Sequence, residues 1–167
     1  MDKLEFLEIK TAQDVNRLAA AAKEIWTEAF KEIISDEQNS YMVEKFQSAN
    51  AITKQISDEG YRYCTLVLND EIIGYYAICK KEDGSLFLSK LYLKQEMRGK
   101  GFSSMMFREI KRIARKEGCE LIWLTVNKGN AHAISVYKHL GMRLLREQVT
   151  DIGNGFVMDD YVFGIMV

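Results

Sequence analysis

The hydrophobic positions change period along the chain. After a loosely alternating start at Leu4–Lys10, which predicts a strand, apolar residues recur at 15, 18, 22, 25, 26, 29 and 33. That spacing predicts a helix whose inner face passes through Trp26. Thr11, with Asp14 three residues on, marks its start as a capping box. The polar stretch Ser35–Asn39 interrupts the pattern. Met42, Val43 and Phe46 predict a short second helix, and Ile52 and Ile56 a third that ends at Gly60.

From Tyr61 the period shortens. Tyr61–Leu68 and Glu71–Cys79 are β-rich runs joined by Asn69-Asp70, a hairpin signal. Ser85–Leu93 follows the turn Glu82-Asp83-Gly84 as a longer strand. Helical spacing returns at Phe102, Met105, Met106, Ile110, Ile113 and Ala114, and Gly118 closes that helix. Leu121–Val126 is a continuous apolar run, expected of a strand buried on both faces. Asn130–Leu140 predicts a short helix ended by Gly141. Two strands then flank the hairpin signal in Ile152-Gly-Asn-Gly155. The order β-α-α-α-β-β-β-α-β-α-β-β predicts a single α+β domain with a mixed sheet over residues 1–167.

Composition narrows the function classes. Of the 167 residues 47% are hydrophobic and 28% charged, a globular balance. The formal net charge of -1 does not suit a protein that lives on nucleic acid. The basic stripe Arg108, Lys111, Arg112, Arg115 and Lys116 is interrupted by Glu109 and Glu117 and reads as an exposed face. No apolar run approaches the ~20 residues that span a bilayer. The N-terminus lacks a basic region followed by an apolar core, so no secretory signal is expected. Cys64, Cys79 and Cys119 are odd in number and widely spaced, as expected of buried thiols in a cytoplasmic protein. His132 and His139 have no third ligand partner, so no metal is expected.

Two stretches carry candidate chemistry. In Leu91-Tyr-Leu-Lys-Gln-Glu-Met-Arg98-Gly99-Lys100-Gly101-Phe-Ser103-Ser104 a strand runs through a glycine-containing turn into a helix. Glycines let backbone approach a ligand, and the first N–H groups of a helix lack internal partners. With Arg98 and Lys100 beside them, those donors form a phosphate site. Taken alone, the pattern reads equally as a tight turn. In the second stretch Asn130 caps a helix and Tyr137 lies two turns on, near the same face. An isolated Tyr there would read as an ordinary half-buried aromatic.

Together the stretches resemble the GNAT superfamily of N-acetyltransferases. Its Arg/Gln-x-x-Gly-x-Gly/Ala motif is matched by Arg98-Gly-Lys-Gly101-Phe-Ser103, with serine in the last place. Its Asn-x-x-Ala-x-x-x-Tyr-x-x-x-Gly-Phe motif is matched by Asn130, Ala133, Tyr137 and Gly141, with Met142 for the Phe. The match covers roughly residues 60–145. Gln95 stands where many members have proline. The ends, Ile25-Trp26-Thr-Glu-Ala-Phe30, Met42-Val-Glu-Lys-Phe46 and Gly153–Tyr161, resemble the PaiA group of bacterial enzymes, which implies a polyamine acceptor.

The resemblance implies a GNAT-like, mostly antiparallel sheet that splays between its fourth and fifth strands. Pantetheine of acetyl-CoA would bond to backbone near Leu91 and Leu93, and the pyrophosphate would sit on residues 99–104, including Gly99, Lys100, Gly101, Ser103 and Ser104. Asn130 would contact the CoA arm, and Tyr137 would protonate the departing thiolate. Trp26, Glu28 and Asp159 are the expected acceptor-binding residues. Some members place a basic glutamate on the fourth strand; the matching position is Ser85, which leaves Glu28, Asp159, Asp160 or a water chain as the base. Glu24, Glu28 and Glu32 line one helix face, which holds a polycation or faces solvent. The expected reaction is acetyl transfer from acetyl-CoA to a primary amine of a small molecule in a ternary complex. Rival readings are acetylation of a peptide N-terminus or an aminoglycoside, a non-catalytic acyl-CoA-binding module, and a regulator that binds nucleic acid through the basic stripe. Exposed strands at the sheet ends leave a homodimer open.

Overall fold

The computed structural model describes residues 1–167. Strand β1 (Leu4–Glu8) leads into α1 (Ala12–Phe30), where Thr11 Oγ1 accepts the Asp14 N–H and Asp14 accepts the Thr11 N–H, completing the capping box. The helix then departs from expectation: Ser35–Asn39 is not a break. Ser35 caps α2 (Asp36–Met42), a π-helical turn spans Val43–Gln47, and Ser48 caps α3 (Ala49–Asp58). Two serine caps, which satisfy free N–H groups, make polar residues into helix starts. β2 (Arg62–Leu68) and β3 (Glu71–Lys80) form the first hairpin, with Asn69 and Asp70 both at positive φ. β4 (Leu86–Leu93), a 3-10 turn at Gln95–Met97, α4 (Phe102–Lys116), β5 (Leu121–Asn127) and α5 (Ala131–His139) follow. β6 (Arg143–Gly153) and β7 (Phe156–Met166) close the chain.

The seven strands run in the order β1-β2-β3-β4-β5-β7-β6. All neighbours are antiparallel except β4 and β5, which are parallel and pair only at Leu86–Ile122 and Phe87–Trp123. Past Phe87 the two strands part, so the splay that the resemblance implied is present. α4 and α5 cover one side of the sheet, with Phe107, Ile110, Ala114 and Tyr137 packed on Leu86, Leu88, Leu124 and Phe163. α1 and α3 cover the other side through Leu18, Ile25 and Ile52 against Tyr63, Tyr75 and Ala77.

β5 differs from the fully buried strand its apolar run predicts. Ile122, Leu124 and Val126 are buried, whereas Leu121, Trp123 and Thr125 are half-buried. The splay opens the second face, so Trp123 and Thr125 line a cavity instead of a core. The three cysteines are free and buried. Arg108, Arg112, Arg115 and Lys116 are exposed on α4, with Arg112 paired to Glu109. No helix is long and apolar enough to cross a membrane.

Candidate active site

The splay leaves polar backbone without a partner. Lys94 donates its N–H to Ile73 on β3, and the Tyr92 carbonyl also points at β3, close to Gly74. Backbone groups alternate sides along a strand, so those of Leu91 and Leu93 face the gap toward β5. At the end of this strand the chain turns through Gly99 and Gly101, with φ of 77° and 84°. Gly101 is the N-cap of α4 and no side chain caps the helix, so its first-turn N–H groups, those of Phe102, Ser103 and Ser104, remain available. A Cβ at Gly101 would meet nothing within 4 Å. Its left-handed backbone, not crowding within the protein, therefore demands glycine.

Three neighbouring spaces that share lining residues lie around α5. An outer cleft of about 1090 Å³ is bordered by α1, Gln95, Arg98, Asn130 and His132. A narrow passage of about 50 Å³ runs inward past Leu91, Leu93, Arg98, Ser103 and Val136. An inner cavity of about 400 Å³ lies between β4 on one wall and β5, β6 and β7 on the other. Arg98, Asn130 and His132 border both the cleft and the passage. Tyr92, Asn130 and Tyr137 border both the passage and the cavity. Asn130 thus borders all three spaces, and Tyr137 stands where the inner two adjoin.

Local geometry explains which side chains face the cavity. β3 pairs Ala77 with Lys90 and Ile78 with Leu88, so Ser89 is the extra residue of a β-bulge. Before the bulge, Phe87 faces the cavity and Leu86 and Leu88 face α4. The bulge puts both Ser89 and Lys90 on the cavity side, together with Tyr92 two residues on. Across the gap, Asn127 pairs with Asp160 and Gln148 with Asp160, which places these three on the same face. Trp26 is buried, stacks on Phe30 and donates its indole N–H to the Tyr92 hydroxyl at 3.2 Å.

Three ionisable groups in this space are perturbed by burial. Tyr137 is 8% exposed, and burial, with Tyr92 nearby, raises its pKa far above the usual phenol value, so it stays protonated. Asp160 is 6% exposed and its Oδ1 has no hydrogen-bond partner. Burial first, then the charge of Asp159, pushes its carboxyl up to about 6, against a smaller opposing effect of Lys128. Lys90 is 6% exposed, and burial pulls its amine down to about 7.

The expected site residues divide. Leu91, Leu93, Arg98, Ser103 and Asn130 line the passage, while Gly99, Lys100, Gly101 and Ser104 form the exposed turn and the first turn of α4. The Asn130 side-chain oxygen accepts the Ala133 N–H at 3.1 Å. Trp26 and Tyr137 line the inner cavity. Glu28 and Asp159 do not. Glu28 is exposed on the outer side of α1, in the cleft on the other side of the passage, because Trp26 and Phe30 take the inward positions of that helix turn. Asp159 points outward, where it pairs with Lys128 at 2.9 Å, because strand alternation turns its neighbour Asp160 inward. Ser85 is bonded to Asp83 and Trp123 and does not line the cavity. Lys90 and Tyr92 were not singled out by the sequence. The one signal for Lys90 was a charge inside the apolar run Leu86–Leu93.

Comparison with known proteins agrees with this geometry. The profile of the Acetyltransferase (GNAT) family matches residues 19–142. An uncharacterised N-acetyltransferase of Mycobacterium tuberculosis is 25% identical over 149 residues, 87% of this chain and 96% of that protein. Thialysine N-epsilon-acetyltransferase of Sus scrofa is 35% identical over 74 residues, 44% of each chain. The crystal structure of the PaiA N-acetyltransferase from Thermoplasma acidophilum in complex with coenzyme A superimposes with a TM-score of 0.80 at 19% identity, over 99% of both chains. The chain belongs to the GNAT acetyltransferase family. It is an N-acetyltransferase that uses acetyl-CoA.

Proposed function

We propose that this enzyme acetylates the primary amine of a small molecule held in the inner cavity, by direct attack on the thioester of acetyl-CoA. The observation that carries the reading is the junction at Tyr92, Asn130 and Tyr137, residues shared by the cofactor-side passage and a cavity lined by a buried, unpartnered carboxylate. The N–H groups at the start of α4, with Arg98 beside them, suit a pyrophosphate. The gap-facing backbone of Leu91 and Leu93 suits the amides of pantetheine, and the N–H of Leu91 suits the oxyanion that forms on attack. Asp160 holds the incoming ammonium and takes its proton, since at pH 7 well under ~1% of an amine with pKa ~10.4 is otherwise free. The amine nitrogen then attacks the carbonyl carbon; as the C–S bond breaks Tyr137 gives its proton to the sulfur, and the extra proton left on the acylated nitrogen is released to restore the Tyr137 phenol, leaving the neutral amide and free CoA thiol.

The size of the cavity favours a small amine over a protein terminus. The partial likeness to thialysine N-epsilon-acetyltransferases points the same way. Of the acids that motivated a polyamine, Asp160 faces the inner cavity, whereas Glu24 and Glu28 face the outer cleft and Asp159 is tied to Lys128. Thiol release from acetyl-CoA across a panel of diamines, amino acids, peptides and aminoglycosides tests the reading. Preferential turnover of short primary amines is expected; turnover of peptides alone would overturn it.

The cofactor site gives a separate prediction. At 100 times Kd, acetyl-CoA should stabilise the fold by about 2.7 kcal/mol, roughly 5–10 °C in melting temperature. Ser103→Asp puts a negative charge in the first turn of α4. That charge favours the free helix by about 0.3–1 kcal/mol and repels a pyrophosphate. The variant should melt no lower than wild type alone and lose most of the acetyl-CoA shift by scanning fluorimetry. An undiminished shift would place the cofactor elsewhere.

A further inference from the structure

Lys90 has no role in acetyl transfer as described, yet it is one of the most unusual residues in the chain. It is 6% exposed on the cavity face of β4. Its amine donates to the Phe46 carbonyl and the Tyr63 hydroxyl, and to Gln55 Oε1 at 3.5 Å. All three acceptors are neutral, and none of the ion pairs in the protein includes Lys90. These contacts hold the amine in place without balancing its charge. Buried charges are ordinarily paired. On the opposite wall Asp160 is also buried and unpaired, with one oxygen bare. The other ionisable groups on the cavity are Tyr61, Tyr92 and Tyr137, and Glu59, which is exposed at the rim beyond α3.

The cavity therefore sets a buried amine, whose charge a bound anion would stabilise, on one wall against a buried carboxylate on the other. A polyamine long enough to cross it would satisfy Asp160 and set a second ammonium against Lys90. A molecule with an amine at one end and a carboxylate at the other would neutralise both walls. The Gln55 contact, the longest of the three, is the one a carboxylate would replace. Glu59 at the rim is placed to meet an α-ammonium beside that carboxylate.

We propose that the acceptor is an amphoteric ω-amino acid, its reacting amine directed to Asp160 and Tyr137 and its carboxylate recognised by the unpaired ammonium of Lys90, which the β4 bulge turns into the cavity. This rests on the acetyl-transfer reading above and names its substrate class. Lys90 is a specificity-determining residue here and takes no part in the chemical step.

The test compares kcat/KM for acceptors that differ only in the carboxylate: lysine against cadaverine, and 5-aminopentanoate against pentylamine. In wild-type enzyme the carboxylate-bearing member of each pair should be favoured by about tenfold or more. In Lys90→Met the ratio should collapse toward one, chiefly through a higher KM for the carboxylate-bearing amine. Lys90→Arg, which restores the charge, should recover part of the preference. Wild-type ratios below one for both pairs, or acetylation of spermidine with none of the amino acids, would overturn the proposal without any variant being needed. An unchanged ratio in folded Lys90→Met would overturn the assignment to Lys90. Absence of thiol release with every amine tested would instead overturn the acetyl-transfer reading itself.

Discussion

Asp160→Asn should abolish most activity while leaving the fold intact or more stable. In wild type, kcat/KM for a primary amine should rise with pH through about 6, as Asp160 loses its proton and becomes able to accept that of the amine. Asparagine keeps the shape and removes the charge, so the acid limb should disappear. The rate should drop by about 10²–10⁴, the usual contribution of a general base. Stability should move the other way. The folded protein holds the Asp160 proton more tightly than the unfolded chain, so ionisation costs stability as pH rises from the ordinary carboxyl value, near 3.8, to about 6, and the cost is complete above that. The variant lacks that cost, and its melting temperature at pH 7.5 should equal or exceed that of wild type. An enzyme that retains the acid limb and turns over within threefold of wild type would remove Asp160 as the base and leave a water chain.

Tyr137→Phe should lower the rate of the chemical step with little change in acetyl-CoA affinity. Burial holds the phenol fully protonated, so it can donate but is a weak acid until negative charge forms on the sulfur. A thiol with pKa ~8.5 is already a fair leaving group, which sets the expected loss toward the lower part of the ~10²–10⁴ range. Phenylalanine keeps the ring against Leu124, Val126 and Phe163, and the hydroxyl makes no hydrogen bond within the protein that would be lost. Melting temperature should therefore hold, and kcat and kcat/KM for the amine should fall together, as for an interaction made only in the transition state. Single-turnover rate, acetyl-CoA Kd and melting temperature on one preparation check this. A rate within about threefold of wild type would end the general-acid assignment.

Asp160 and Tyr137 also show how unevenly the site can be read. Tyr137 stands at a fixed distance from the Asn130 cap along one helix, so local periodicity places it. Asp160 and Asp159 are neighbours in an exposed-looking acidic pair, and nothing in their composition says which turns inward. The register of β7 with β5, Asn127 opposite Asp160, makes that choice. A shift of one residue would exchange their faces.

What the sequence determined by itself was local. Capping by Thr11, the hairpin turns at Asn69-Asp70 and Asn154-Gly155, and the glycine turn into α4 each depend on neighbours a few residues away, through backbone sterics and helix-end hydrogen bonds. The order of elements and the cofactor-side motif follow from those signals. Polar Ser35–Asn39 was misleading because Ser35 caps a new helix and Asn39 packs inward, donating to the Thr27 carbonyl of α1. The tertiary structure decided the acceptor cavity. Its walls come from β4, β5, β6, β7 and the helical segment before β2, brought together by long-range strand pairing. The splay strips β5 of one buried face and makes Trp123 a cavity wall. The bulge at Ser89 turns Lys90 in toward a space that Asp160 faces from the other side. Neither event has a local cause, since a charge in an apolar strand reads the same whether it ends in solvent or, as here, unpaired across a cavity from a carboxylate.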